Sequence, residues 1–102
     1  TLPADHPNLS FALAGIGDAL TEVGRPGEAL PYLERALAIR TAHHMPPALL
    51  GELHTYFAAA LVGSPATHAR AVQEARTALA LFQQAGDTDD AHETTLWLAA
   101  HR

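Results

Sequence analysis

Leu13–Ala36 reads LAGIGDALTEVGRPGEALPYLERA, two amphipathic runs around a glycine–proline corner. Leu9, Leu13, Ile16, Leu20 and Val23 recur in steps of four and three, the spacing of one apolar stripe on a helix. Gly24 is a natural stop for that helix, because glycine takes the left-handed conformation freely. Pro26 then opens a second helix at a position where its missing N–H costs nothing, with Glu28 near the positive helix end. Ala29, Leu30, Leu33, Ala36, Leu37 and Ile39 form its inward set, and Pro31 is tolerable only close to the first turn. Small residues stand where the two helices would cross, which lets backbones approach closely.

Working outward, residues 1–8 are a lead-in loop, with Asp5 expected as N-cap and Pro7 in the first turn. Thr41–Pro47 breaks the helical pattern, since two prolines forbid continuation. A third helix carries Leu49, Leu50, Leu53, Phe57 and Leu61. Ser64-Pro65 is expected to start a fourth, with Ala69, Val72, Ala75, Leu79 and Phe82, ending at Gly86. Asp87 or Thr88 caps a fifth, whose apolar surface is Leu96 and Trp97. Its acidic start, Asp89 and Asp90, and its basic end, His101 and Arg102, suit the helix dipole.

The pattern repeats. Ala29-Leu30 and Ala36-Leu37 return as Ala71-Val72 and Ala78-Leu79, forty-two positions on (71 − 29 = 42). Ile39 maps to Leu81, Gly17 to Ala59, Leu20 to Val62 and Phe11 to Leu53, and two steps carry Leu13 through Thr55 to Trp97. A fixed period of this size means stacked supersecondary units. The expectation is an all-α fold of about five helices, with repeat 1 over 9–43, a degenerate repeat 2 over 47–86, and a terminal capping helix over 88–102.

Leu13, Ile16, Gly17, Leu20, Ala29, Leu33 and Ala36 stand at the spacing of the large and small positions of the tetratricopeptide repeat (TPR), and the chain resembles that family. The longer period is similar to the extended variant of kinesin light chains and many bacterial proteins, whose acidic-His-Pro loop Asp5-His6-Pro7 matches. Thr41 replaces the closing proline. The resemblance implies antiparallel hairpins stacked as a right-handed superhelix, with an inner face built from the first helix of each hairpin. On that face it places Phe11, Ala14, Gly15, Asp18, Thr21 and Glu22, then Leu53, Tyr56, Phe57 and Ala60, an apolar and aromatic surface with an acidic edge. Leu53 and Phe57 fit a core equally well. The implied role is a scaffold or regulatory module that binds a peptide or partner protein, with no cofactor. Such repeats are common behind bacterial serine/threonine kinase domains. The alternative is a self-association element, a homo-oligomer formed through the uncovered face of the first hairpin. With no initiator methionine, the chain is expected to be a segment of a longer protein.

Composition narrows the chemistry. The 48% hydrophobic share with only 6% aromatics suits close-packed helices rather than a sandwich. A net charge of −5 argues against a nucleic-acid backbone as partner. There is no cysteine, which suits a reducing, cytoplasmic setting. No apolar run approaches the ~18 residues of a membrane span. Ser10 and Ser64 have no readable His/Asp partners, Gly15-Ile16-Gly17 lies within a helical stripe rather than a phosphate loop, and the seven histidines show no metal-ligand spacing. Asp87, Asp89 and Asp90 lack the glycine and glutamate of a calcium loop and read as a helix cap. No catalytic or metal site is expected.

Overall fold

The computed structural model describes residues 6–102. These form five α-helices: α1 (Pro7–Glu22), α2 (Pro26–Ala42), α3 (Pro47–Leu61), α4 (His68–Ala85) and α5 (Thr88–Ala100). The fold is all-α, and no strand occurs among the described residues. No described helix is long and apolar enough to cross a membrane. The α1–α2 and α3–α4 pairs are hairpins; α2 and α1 both pack on α3, and α5 packs on α4. The result is a slab of 44 × 32 × 18 Å.

Proline and short caps set the helix starts. Pro7, Pro26 and Pro47 each stand in the first turn of their helices. The α1 cap is His6, whose Nδ1 accepts the Asn8 N–H at 3.1 Å; Asp5 lies outside the described residues. Asp87 caps α5 by accepting the Asp90 N–H at 3.1 Å. Pro65 opens a single 3₁₀ turn, Pro65–Thr67, and not α4. Ser64 makes no side-chain cap there; instead the Thr67 hydroxyl donates to Leu61 O at 2.6 Å, folding the turn back on α3.

Three helix ends share one geometry. After α1, Arg25 N–H reaches Leu20 O at 2.8 Å and Gly24 N–H reaches Thr21 O at 3.1 Å, with Gly24 at φ 84°. The α4 end repeats it around Gly86, φ 72°. At α2 the left-handed residue is His44, φ 50°, forty-two positions before Gly86. A side chain is thus held where glycine fits best.

The core is small-sided. Ala29, Leu33, Ala36 and Ile39 of α2 are buried, as are Ala71, Ala75, Ala78 and Phe82 of α4. The forty-two-residue spacing therefore holds from α2 to α4. It fails between α1 and α3. Gly17 is buried but its expected equivalent Ala59 is exposed, whereas Ala58 is interior. Ser10 faces Arg40, and Gly51 faces Phe82, so α3 is displaced from α1 by forty-one (51 − 10 = 41). The additional residue is taken up in the loop with the 3₁₀ turn. Two apolar stripes are also less buried than their spacing suggests. In α1 Ile16 is exposed, as is Val23 at its C-cap; in α5, Leu96 is exposed and Thr94 is interior. Ala69 of α4 is exposed as well.

Arg40 is the largest fully buried side chain, at 0% exposure. Its Nε donates to Ser10 Oγ at 3.1 Å, and its Nη1 donates to Leu49 O at 2.8 Å and Glu52 Oε1 at 2.9 Å. Ser10 in turn donates to Pro7 O at 2.7 Å. Phe11 lies under the guanidinium, 4.6 Å from ring centroid to Cζ. One arginine of α2 thereby ties α1 to α3. In the second hairpin the same repeat position is Phe82. There α3 and α4 are linked by His54 Nδ1, which donates to Glu74 Oε2 at 2.6 Å.

A Cβ at Gly17 would sit 2.5 Å from Leu33 Cδ2, whereas one at Gly15 would meet nothing within 4 Å. Gly17→Ala is expected to lower stability by about 1–3 kcal/mol, and Gly15→Ala to raise it by about 0.5–1 kcal/mol, both read from urea unfolding. In the same assay, Arg40→Ala is expected to cost roughly 2–5 kcal/mol through lost packing and lost hydrogen bonds.

Candidate functional site

Helix α5 packs on α4 and opens away from α3, which leaves a groove of about 500 Å³ between α3 and α5. From α3 the groove takes Leu49, Glu52 and Tyr56, three and four residues apart and so on one helical face. From α5 it takes Asp90, Glu93, Thr94 and Trp97 by the same logic. Ala58 of α3 with Ala75 and Phe82 of α4 make the floor. These last positions explain the space. Where the first hairpin packs Leu33 against Gly17, the second has Ala75 and Ala58, a pair with less side-chain volume.

The groove has an apolar floor and a rim of three carboxylates, Glu52, Asp90 and Glu93, with no cationic residue in its lining. Glu52 shares its charge with Arg40. The Asp90 carboxyl is held above the ordinary aspartate value of 3.8, first by its hydrogen bond to Asp87, then by burial and the negative charges of Asp87, Glu93 and Asp89. Burial pushes the Tyr56 hydroxyl up, as do the charges of Glu52, Asp18 and Glu22, opposed by Arg40. The negative charges that reach Tyr56 thus come from Glu52 beside it and from Asp18 and Glu22 on α1. Trp97 is held in place at the far end. It stacks on His101 at 4.0 Å between ring centroids, His101 Nδ1 donates to Trp97 O at 2.8 Å, and His68 Nε2 donates to His101 O at 2.9 Å.

The residues that the resemblance to the TPR family implies for an inner face separate into two groups. Ala14 of α1 and Leu53, Phe57 and Ala60 of α3 are interior and cannot meet a ligand; the one-residue displacement of α3 turns the latter three inward. Phe11 is 46% exposed but covers Arg40. Gly15 and Glu22 are exposed; Asp18, Thr21 and Tyr56 are half-buried, with the Thr21 hydroxyl bound to Gly17 O at 3.0 Å. Of the ten, Tyr56 lines the groove, and Asp18 and Glu22 extend its acidic field. With the displacement of forty-one, Phe11, Ala14 and Gly15 map to Glu52, Thr55 and Tyr56, all three of them groove residues. Arg40 was legible in one way only, as a charge on the inner side of an apolar repeat. Among the described residues no three His, Asp or Glu side chains converge as metal ligands would. No family model, curated protein or solved structure matches the chain.

Asp90 binds its proton more tightly in the folded chain than in the unfolded one. Its stabilising contribution is complete below pH 3.8 and is lost as the pH rises through its raised value. Asp90→Asn removes that dependence. The melting temperature of the parent chain is expected to fall relative to Asp90→Asn as the pH is taken from 4 to 7; parallel curves would show the Asp87–Asp90 contact to be without effect.

Proposed function

We propose that the chain is a non-catalytic interaction module of TPR-like hairpins in a right-handed array, and that it takes a short basic segment of a partner protein in the groove between α3 and α5. The observation that carries this reading is the groove's construction: an apolar floor ending in Trp97, and a rim on which Glu52 is paired with Arg40 while Asp90 and Glu93 have no cation in the groove lining. An apolar anchor would fill the space left by Ala58 and Ala75. A lysine or arginine beside it would lie against Asp90 and Glu93, where a positive charge offsets the neighbouring negative charges of Asp87 and Asp89. The two hairpins, the packing of α1 and α2 on α3, and the α2-to-α4 period support the TPR assignment. We place the module inside the cell, where a chain without cysteine is at home.

Trp97 is the sole tryptophan, so its fluorescence reports on the groove directly. Short peptides pairing leucine or phenylalanine with lysine or arginine are expected to shift its emission saturably, while acidic peptides of equal apolar content do not. Asp90→Asn with Glu93→Gln should weaken binding by roughly tenfold, about 1.4 kcal/mol. Equal responses to basic and acidic peptides, or none to either, would defeat the proposal.

A further inference from the structure

Two residues of the groove's α3 wall are held from behind. Arg40 belongs to α2 and does not line the groove, yet its Nη1 donates to both Leu49 O and Glu52 Oε1, at 2.8 and 2.9 Å. The guanidinium is not free to follow a moving partner. It is fully buried, its Nε is tied to Ser10 Oγ at 3.1 Å, and Phe11 covers it. The Glu52 side chain, by contrast, is 39% exposed and faces the groove.

Glu52 is thus open to two cations, the buried one behind it and any that a ligand brings. The buried one holds the stronger claim. Nη2 has no hydrogen-bond partner among the described residues, so surrendering Glu52 would leave a guanidinium out of water with no counter-charge. That loss exceeds the return from a partly exposed pair with a ligand lysine. Asp90 and Glu93 are in the opposite position. They stand one turn apart on α5, and among the described residues neither has an ion pair.

We infer that Arg40 determines the charge selectivity of the groove without touching the ligand: it commits Glu52 inward, so that a bound segment places its positive charge on α5 and gains nothing from a second one directed at α3. This selectivity presupposes that the groove takes a basic segment and specifies which wall receives the charge. Arg40 is a positioning residue that acts through Glu52. Because it comes from the first hairpin, while the groove is built from the second hairpin and α5, the choice of ligand depends on the packing of one hairpin on the other.

Zero-length cross-linking reads which wall a ligand amine meets. The probe is a peptide with a leucine flanked on each side by lysine and blocked at both ends, and a carbodiimide joins each amine to a carboxylate that it touches. Trypsin then separates the two walls, since residues 41–70 contain Glu52 as their one acidic residue and residues 77–102 contain the carboxylates of α5. In the parent chain attachment is expected on 77–102. In Arg40→Met, Glu52 is released, and the 41–70 product should rise about fivefold relative to the other, the worth of one partly exposed ion pair. Arg40→Lys breaks the same fork of hydrogen bonds but keeps the charge, and should return the ratio to the parent's; a purely structural role for Arg40 would make Lys and Met act alike. Circular dichroism checks that each variant is folded, and Arg40→Gln replaces Arg40→Met should that variant unfold. Equal attachment to the two walls in the parent, or the parent's ratio in the neutral variant, would overturn the inference and leave the basic-ligand groove standing. A probe that neither shifts Trp97 emission nor cross-links would overturn both.

Discussion

A single buried guanidinium holds the first three helices in register. Arg40 reaches Ser10 on α1 and Leu49 and Glu52 on α3, and the geometry of its donors permits one spacing between those helices. Buried charge is costly, and here the cost is not fully offset, because Nη2 has no hydrogen-bond partner among the described residues. At the equivalent position Phe82 packs against Gly51 without direction. The first hairpin is thus joined to the second by the bonds of one guanidinium, while the second hairpin is closed by a ring lying on a glycine and by the His54–Glu74 bond.

Residue size explains the rest of the architecture. Gly17 makes room for Leu33, and Gly51 makes room for Phe82. Where both partners are small, at Ala58 and Ala75, the helices leave space, and that space is the α3–α5 groove. The loss of large residues in the second repeat, which in the sequence resembles decay, is in the structure the origin of a concave surface.

Helix number, type and most boundaries were legible because they depend on local features: apolar steps of three and four, prolines in first turns, and glycine after the last turn. The relation between the hairpins was less legible. A single residue in the loop from Val62 to Thr67 rotates α3 by about 100° relative to a strict repeat, which exchanges Leu53 and Phe57 for Glu52 and Thr55 on the outer surface. No pattern within α3 signals this, since Leu53 and Phe57 satisfy either register. Nor can an apolar stripe declare whether another helix will cover it, which is why Ile16, Val23 and Leu96 read as core and stand in solvent.

The seclusion of Arg40 has a practical side. With no lysine in the chain, trypsin is confined to arginine, and Arg25 is shielded by the proline that follows it. Arg35, Arg70 and Arg76 lie within helices with their side chains exposed, and Arg40 is the one internal site whose side chain the fold buries as well. Appearance of a new end after residue 40 therefore times the opening of the whole first hairpin, with no label attached.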